Sequence, residues 1–326
     1  MSEVVTFGEA MIRLTPQNYH RLEQADVLDV HVGGGEFNVA CNLRRLGVNS
    51  GWVSRLPMNP LGRMIVNKGR EQGVDTSGVV WTKEGRAGIY FVEFGAMPRP
   101  SEVIYDRAGS AMSLLQPGEI KWADVFEGVK VFHTSGITPA ISDSAAAATE
   151  EALTEAKKAG CKISFDLNYR ARLWSQEKAR QVLSKFMDKV DLLISTVEDA
   201  DRVFGMGGTP EESAKKLQDG FGFSIVAITR RHEKTAWTGG WASWTLSKGK
   251  FIRGREYDIE VVDRVGSGDA FAAGLLYGYL SGDLEKGVAY GDAMAALKNT
   301  MSGDFSWATK EEVERLMAKG DMRIQR

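Results

Sequence analysis

Short apolar runs alternate with amphipathic segments along most of the chain. The apolar runs are interpreted as β-strands, because they are rich in β-branched and aromatic residues and are bounded by turn-forming residues. They are EVVTFGEAMIRL, NSGWVSRLP, VKVFHTSG, CKISFDLNYR, DLLIST and GFSIVAITRR. Helical patterns follow most of them; residues 142–160, for example, begin with Ser and Asp and end with Lys and Gly. This alternation predicts an α/β fold with a mostly parallel sheet covered by helices on both faces.

Two stretches interrupt the alternation. Residues 86–107 contain two strand-like runs joined by a Gly/Pro segment, which predicts an antiparallel hairpin. Residues 12–32 are also strand-rich and irregular. We expect these two stretches to form a small β-sheet that acts as a lid on a single α/β domain spanning residues 1–326.

Composition narrows the class of partner. The chain has 326 residues, of which 43% are hydrophobic and 26% charged, and its net charge is −2. This balance gives no electrostatic case for a nucleic acid or a membrane surface, so a small molecule is the expected partner. Two scattered cysteines, Cys41 and Cys161, and four scattered histidines argue against a disulfide framework and against a Cys- or His-based metal site. The chain shows neither a secretory signal nor a long apolar run, so the cytoplasm is the expected compartment.

Polar residues follow the apolar runs where ligands bind in parallel α/β sheets, at the carboxyl ends of the strands. The stretch Gly266-Ser267-Gly268-Asp269 is one such group, because glycines at the start of a helix expose backbone N–H groups that attract anions. A carboxylate in the same turn can accept a proton from an attacking hydroxyl. Taken alone, the stretch also fits a plain helix cap, which is slightly favoured. The chain lacks an ordinary P-loop motif and a full G-x-G-x-x-G fingerprint.

Two motifs at opposite ends of the chain resemble signatures of one enzyme family. VVDRVGSGDAFAAGLLYGYL, residues 261–280, resembles the D-[TR]-x-G-[AS]-G-D signature of the ribokinase-like (PfkB) carbohydrate kinases. GGGEFNVACNLRRLG, residues 33–47, resembles the N-terminal Gly-Gly-x-x-x-Asn signature of that family. The resemblance spans essentially the whole chain, and FDLNYRARLW, YDR and ALKNTMSGDFSW look most similar to 2-keto-3-deoxygluconate kinases. It implies a three-layer α/β sandwich with a mostly parallel central sheet and a small β-sheet lid.

The resemblance also implies a reaction, the transfer of the ATP γ-phosphoryl group to a sugar hydroxyl with Mg²⁺. Asp269 matches the catalytic base, and the amides of Gly266, Ser267 and Gly268 match the anion hole. The positions that match sugar-binding residues are Gly34, Gly35 and Asn38.

The expected substrate is a sugar acid, most similar to 2-keto-3-deoxygluconate, and the expected product is its 6-phosphate. Arg107 ends the predicted hairpin and Arg170 follows a core strand, and guanidinium groups bind carboxylates bidentately. Tyr90 and Tyr105 offer flat apolar faces and hydroxyl groups to a sugar chain. These side chains also have ordinary alternatives, since exposed arginines are common and a hairpin tyrosine more often packs.

The sequence departs from the family pattern at the nucleotide and metal positions. The N-x-x-E motif is replaced by ISTVEDA, so Glu198 or Asp199 is expected to act on Mg²⁺ through water, with a helix cap as the alternative. The resemblance implies that Asp263, with the Val265 carbonyl, contributes to a monovalent-cation site such as one for K⁺, as in some members of the family. The residues predicted to contact the nucleotide are Asn168, Arg170, Thr229, Arg230, Gly266 and Gly268.

Several alternatives remain open at this point. A fructokinase or another sugar or sugar-acid kinase of the same family is the second interpretation, which depends on whether Arg107 and Arg170 converge on the sugar. A sugar or nucleotide sensor without turnover is disfavoured by Asp269, because a binding protein needs no base. A nicotinamide oxidoreductase is disfavoured by the missing fingerprint. We also expect a homo-oligomer that pairs through the exposed edges of the lid sheet.

Overall fold

The computed structural model describes residues 1–318 except residues 234 and 236. Its β-strands are β1 (Val4–Phe7), β2 (Met11–Pro16), β3 (Leu28–Gly33), β4 (Ser50–Pro57), β5 (Val79–Thr82), β6 (Ile89–Glu93), β7 (Glu102–Asp106), β8 (Val131–Ser135), β9 (Lys162–Asp166), β10 (Leu192–Thr196), β11 (Ile225–Glu233), β12 (Thr238–Ser247), β13 (Lys250–Arg253) and β14 (Tyr257–Glu260). Its α-helices are α1 (Gly35–Arg45), α2 (Pro60–Glu71), α3 (Trp122–Val125), α4 (Asp143–Lys158), α5 (Gln176–Leu183), α6 (Val197–Phe204), α7 (Pro210–Phe221), α8 (Ser267–Leu280), α9 (Leu284–Asn299) and α10 (Lys310–Ala318).

A large twisted sheet forms the centre of the molecule. Its strand order is β13-β12-β11-β10-β9-β8-β1-β4-β5, and β14 pairs with β12. All pairs from β11 across to β5 are parallel, whereas β12 pairs antiparallel with β11, β13 and β14. The mostly parallel sheet predicted from the alternating pattern is therefore confirmed.

Helices cover both faces of this sheet. Successive strand residues point to opposite sides, and both sets are apolar, so each face packs against its own layer of helices. On β1, Val5 and Phe7 face a core built with α4, α5, α6 and α7, and Val4 faces a core built with α1, α8, α9 and α10. Helix α4 shows why these segments are helical: the Ser142 hydroxyl accepts a hydrogen bond from Ala145 N at 3.0 Å, and a row of alanines is buried against the sheet. The predicted three-layer sandwich is confirmed.

A second, small sheet has the strand order β3-β2-β6-β7. Strands β2 and β3 come from the predicted 12–32 stretch and pair antiparallel, and β6 and β7 form the predicted hairpin. The pair β2–β6, which joins the two excursions, is parallel. Both excursions leave the large sheet at the carboxyl ends of its strands, after β1 and after β5, so the small sheet lies over that edge.

The chain differs from the sequence-based expectation at two places. The run interpreted as a strand up to Arg170 ends at Asp166, and the backbone turns at Asn168, which has a φ of 35°. The antiparallel edge formed by β12, β13 and β14 was not predicted, because it depends on pairing between strands and not on periodicity. Among the described helices, none combines the length and the apolarity that crossing a lipid bilayer requires.

Candidate active site

A cavity of about 870 Å³ lies at the carboxyl edge of the large sheet, beneath the small sheet. Side chains from the loops after β1 and β8, from the carboxyl ends of β9 and β10 with the segments that follow them, and from β11 itself line its floor, and side chains of β6 and β7 line its roof. The sequence-predicted residues that line it are Gly34, Gly35, Asn38, Tyr90, Tyr105, Arg107, Asn168, Arg170, Glu198, Asp199, Thr229, Gly266, Gly268 and Asp269. Ser267, Arg230 and Asp263 are not among the lining residues.

The turn before α8 presents backbone amides to this cavity. Gly266 has a φ of 84°, and a Cβ built there would lie 1.6 Å from the Asp304 carbonyl oxygen, so only glycine fits. Ser267 is buried, and its hydroxyl donates to the Arg264 carbonyl at 3.1 Å. A Cβ at Gly268 would meet nothing within 4 Å. Since the first N–H groups of a helix have no partner inside the helix, this turn can receive an anion.

Asp269 lies in the first turn of α8 and is half-buried, because one side of its carboxylate opens to the cavity. Its Oδ2 accepts a hydrogen bond from Asn38 Nδ2 at 2.7 Å. Burial raises the pKa of Asp269 to about 7, with Glu36 adding to the shift and the Asn38 hydrogen bond and Arg170 opposing it. A carboxyl group that titrates near neutral pH is suited to exchange a proton with a bound hydroxyl.

The N-terminal glycine motif meets Asp269 across 231 residues of sequence. Asn38 is buried on α1, where its Oδ1 accepts from Gly34 N at 3.4 Å while its amide donates to Asp269. A Cβ at Gly34 would lie 2.1 Å from the Glu9 carbonyl oxygen, so this position must be glycine for the backbones to approach. The two motifs recognised separately in the sequence therefore form one wall of the cavity.

Acidic and basic side chains face each other in the part of the cavity formed by β9, β10, β11 and the segments next to them, which we call the open end. Asp166 ends β9, and burial, Asp269 and Asp199 raise its pKa to about 8. Burial also raises the pKa of Asp199, although Arg170 opposes it. Asp199 and Glu198 lie in the first turn of α6, whose N-cap Thr196 accepts from Asp199 N at 3.0 Å. Arginines that line this end are Arg170, Arg202, Arg231 and Arg264.

Strand alternation decides which arginine of β11 reaches the cavity. Side chains two residues apart share a face of a strand, so Thr229 and Arg231 line the cavity and Arg230 lies on the other face. The geometry therefore gives no support to the nucleotide contact expected of Arg230. Arg231 takes that place. The strand period shows that Arg231 shares a face with Thr229, but packing decides which face of β11 meets the cavity.

The end of the cavity under the small sheet, the lid end, is built from paired charges. Arg107 forms an ion pair with Glu9, and its guanidinium lies 5.8 Å from the Tyr105 ring centroid. The Tyr105 ring stacks on that of Tyr90 with centroids 5.7 Å apart. The Tyr90 hydroxyl in turn donates to Asp304. Arg107 and both tyrosines thus meet at one place, as the substrate prediction requires, but the Arg107 charge already has a partner.

Asp304, the partner of Tyr90, also belongs to a group of buried charges beneath the cavity floor. Arg13 on β2 is fully buried; its Nη1 donates to Asp304 at 3.0 Å and its Nη2 lies 2.7 Å from Asp263. The Asp263 carboxylate also accepts from Val265 N at 3.0 Å and from Gly303 N at 3.0 Å. With a guanidinium and two amides already bound, this carboxylate does not fit the role of ligand to a monovalent cation.

Sequence reasoning did not identify several residues of the cavity and its floor. They are Glu9, Arg13, Glu36, Arg202, Arg264 and Asp304. Asp166 and Arg231 belong to the polar groups that follow the apolar runs in the sequence, but no role was predicted for either. Glu36 and Asp304 lie inside the family-like stretches GGGEFN and SGDFSW, which were the available signal. Arg13 gave none, because its partner Asp304 is 291 residues away.

Comparisons with known proteins agree with this architecture. The family model described as pfkB family carbohydrate kinase matches residues 1–308. The chain is 39% identical to a 2-dehydro-3-deoxygalactonokinase of Haloferax volcanii over 100% of its own length and 99% of that protein. It is 30% identical to a 5-dehydro-2-deoxygluconokinase of Bacillus subtilis, over 97% of this chain and 95% of that protein. The crystal structure of a 2-dehydro-3-deoxygluconokinase from Thermotoga maritima has a TM-score of 0.95 and 40% identity, covering 97% of this chain and 98% of that chain.

Proposed function

The chain belongs to the pfkB family of carbohydrate kinases, and from that premise we propose that it transfers the γ-phosphoryl group of ATP to a hydroxyl of a sugar acid. The proposed substrate is 2-keto-3-deoxygluconate (2-dehydro-3-deoxygluconate), and the proposed product is its 6-phosphate. The observation that carries the proposal is the position of Asp269, a half-buried carboxylate with a pKa near 7, beside the amides of residues 266–268.

Asp269 is proposed to act as the general base. The substrate hydroxyl oxygen forms the new O–P bond while the bond from the γ-phosphorus to the bridging oxygen of ADP breaks. The hydroxyl proton passes to the Asp269 carboxylate, and the negative charge that builds on the phosphoryl oxygens is stabilised by the amides of Gly266, Ser267 and Gly268. Asn38 holds the carboxylate in place through the 2.7 Å hydrogen bond.

The open end of the cavity fits a magnesium-bound triphosphate. Among the described residues, no group of three or more His, Cys, Asp or Glu side chains is arranged to hold a metal ion alone. Mg²⁺ bound to a nucleotide does not need such a group, because phosphates and water supply most of its ligands. Glu198 and Asp199 line the cavity and fit contacts through water, while Arg170 and Arg231 fit the phosphates. When bound, the ion would neutralise charge on the transferred group.

The preference for an acid is supported by the relatives and by the arginines. The three relatives described above are named as kinases of dehydro-deoxy sugar acids. Arg107 and Arg170 both line the cavity, on the sides of the small and the large sheet. Guanidinium forks match carboxylate geometry, so an acid substrate would give Arg170 a planar partner in addition to the phosphates, which a neutral hexose would not.

The galactonate epimer is the second candidate substrate, because the relative from Haloferax volcanii is named a 2-dehydro-3-deoxygalactonokinase at 39% identity. The two acids differ in the configuration of one hydroxyl, so the same arginines fit both. A homo-oligomer that pairs through the small sheet also remains a prediction. The outer face of that sheet carries Val30 and Ile104, which are 53% and 44% exposed.

A coupled assay of ADP release tests the proposal. The panel is 2-keto-3-deoxygluconate, its galactonate epimer, 5-dehydro-2-deoxygluconate and fructose, and ³¹P NMR identifies the phosphorylated position. We expect a keto-deoxy acid to give the highest kcat/KM and a phosphate at C6. Equal use of fructose would instead support the fructokinase alternative, and the absence of ADP release with every sugar would overturn the kinase proposal.

A further inference from the structure

A buried cluster of two cations and two carboxylates lies beneath the turn that precedes α8. Its members are Arg13, Asp263, Lys298 and Asp304, which are between 0% and 2% exposed. The formal charges of the four side chains cancel. Buried charges are stable only when each has a close partner, so the cluster is expected to hold a single geometry.

Lys298 joins two chain segments that meet in this cluster, the loop at Asp263 and the turn after helix α9. Its Nζ donates to the Asp263 carbonyl at 3.0 Å and to the Met301 carbonyl at 3.1 Å. Asn299 O accepts from Val262 N at 2.8 Å and from Asp263 N at 3.0 Å, which joins the same two segments. Lysines at the C-terminal end of a helix often bind the last carbonyls, but this one also binds a carbonyl from a different loop.

The contacts of this ammonium resemble those of a bound monovalent cation. Backbone carbonyl oxygens are the ligands that replace the hydration shell of such ions in proteins. Burial lowers the pKa of Lys298, and the carboxylates of Asp263 and Asp304 oppose that shift by favouring the charged form. The structure therefore places an ammonium group at the carbonyl of Asp263, the residue for which a monovalent-cation role was expected.

The position of Asp263 is transmitted directly to the anion-binding turn. Its carboxylate accepts from Val265 N at 3.0 Å, one residue before the turn. The next residue, Gly266, packs against the Asp304 carbonyl so closely that a Cβ would lie 1.6 Å from it. We therefore expect a change at either carboxylate residue to shift the amides of residues 266–268.

We propose that the Lys298 ammonium is a built-in substitute for a monovalent cation, and that it positions the anion-binding turn for phosphoryl transfer. The inference rests on the proposed kinase function. Lys298 acts as a positioning residue, since it lies under the turn and does not line the cavity. The consequence is that the protein works without added potassium.

Two variants of Lys298 separate this role from simple packing. Lys298→Met keeps most of the volume and removes the charge, whereas Lys298→Ala also leaves room for an ion beside the two carbonyls. We expect both to lose at least about tenfold in kcat, below the 10²–10³-fold cost of removing an oxyanion donor outright, with little change in KM for the sugar acid. Potassium or ammonium chloride should restore Lys298→Ala, but not Lys298→Met, relative to sodium chloride. The wild type should show equal kcat in all three salts.

Lys157→Ala is the matched control, because Lys157 also donates from a helix end to a carbonyl, Asp188 O at 2.8 Å, but on the protein surface. It should keep its kcat in every salt. A potassium requirement of the wild type, or a normal kcat in Lys298→Ala with sodium alone, would overturn the inference. A loss that neither potassium nor ammonium restores would also overturn it, since the role would then be packing only.

Thermal unfolding provides a readout that does not depend on turnover. The Tm of Lys298→Ala should rise in potassium or ammonium chloride relative to sodium chloride, and the Tm of the wild type should not. Equal cation responses of the two proteins would contradict the inference. Because this measurement needs no substrate, a failure of the proposed kinase function, seen as absent ADP release by the wild type, remains distinguishable from a failure of the Lys298 role.

Discussion

The two ends of the cavity hold their arginines in different ways. At the lid end, Arg107 is paired with Glu9, and Arg13 is paired with two buried carboxylates. At the open end, Arg170, Arg202 and Arg231 have no carboxylate within 4.0 Å among the residues that the structure describes. Paired charges are already satisfied and contribute shape, whereas unpaired arginines in a cavity attract an anion. Under the proposed function, the lid end is preformed for the sugar acid, and the phosphates of the nucleotide would supply the missing negative charge at the open end.

Between the two ends lies Asp269, and its removal should have the largest effect. Asp269→Asn keeps the shape of the side chain but removes the proton acceptor, so we expect kcat to fall about 10²–10⁴-fold. Binding of ATP and of the sugar acid, measured by calorimetry, should persist. Asp292→Asn is the matched control: burial raises the pKa of Asp292 to about 7 as well, but this residue lies outside the cavity and accepts from Trp241 Nε1. Normal turnover in Asp269→Asn would show that another group is the base.

A stability measurement tests the paired lid end. Arg13→Met leaves Asp263 and Asp304 buried without their partner, which should lower the free energy of unfolding by about 3–5 kcal/mol. Arg170→Met, at the exposed and unpaired position, should change it by less than about 0.5 kcal/mol. Urea unfolding of both variants gives the two values. If the two variants lost a similar amount of free energy of unfolding, the paired and the unpaired arginines would not differ in their contribution to stability.

Arg170→Lys sharpens the comparison at the open end, because it keeps the charge and loses the planar fork. Charge-assisted hydrogen bonds contribute roughly 1.5–3 kcal/mol, so about one to two decades in kcat/KM should be lost. The loss should be greater for 2-keto-3-deoxygluconate than for any neutral sugar that the enzyme accepts. An equal loss on acid and neutral substrates would assign Arg170 to the nucleotide alone.

The pH dependence of kcat/KM should reflect the raised pKa of Asp269. The protonated carboxyl cannot accept the hydroxyl proton, so kcat/KM should fall about tenfold for each pH unit below about 7. This acid limb should persist in Asp292→Asn, although that residue titrates in the same range. A profile that stays flat well below pH 7 would contradict the assignment.

The smallest expected effect is a change in hydrogen exchange of the small sheet. Closure over the cavity would exclude water, which otherwise competes for the phosphoryl group. Residues 12–32 and 86–107 should gain protection when sugar acid and a non-hydrolysable nucleotide are both bound, while α4 should not change. Unchanged exchange across both segments would mean that the small sheet is a fixed wall.

Local signals in the sequence were sufficient for most of the fold. Helix α4 carries its own cap and buried alanine row, and α1 and α8 begin at glycine motifs that resemble one family. The parallel strands follow from near-continuous apolar runs. The antiparallel strands after β11 were not predicted, because the direction of a strand is decided by the backbone groups with which it pairs.

The site was predictable only where a residue belongs to a short motif. Asn38 and Asp269 were identified separately, and their 2.7 Å contact confirms that the two motifs meet. Arg230 was chosen over Arg231 because the register of β11 relative to the cavity depends on packing. The Glu9–Arg107 pair joins residues 98 apart, and no local pattern announces such a pair.

Arg13 has a consequence for how sugar specificity can be exchanged between relatives. It connects strand β2 of the small sheet to Asp263, which is three residues before Gly266 in the turn that precedes α8. A chimaera that takes β2 and β3 from a distant relative would therefore lose the ion pairs of Arg13 unless the residues at positions 263 and 304 are exchanged together with these strands. The hairpin β6–β7 reaches the floor through Tyr90 and Arg107 and lacks such a buried triple contact. We therefore expect that this hairpin can be exchanged on its own when recognition of a different sugar is engineered.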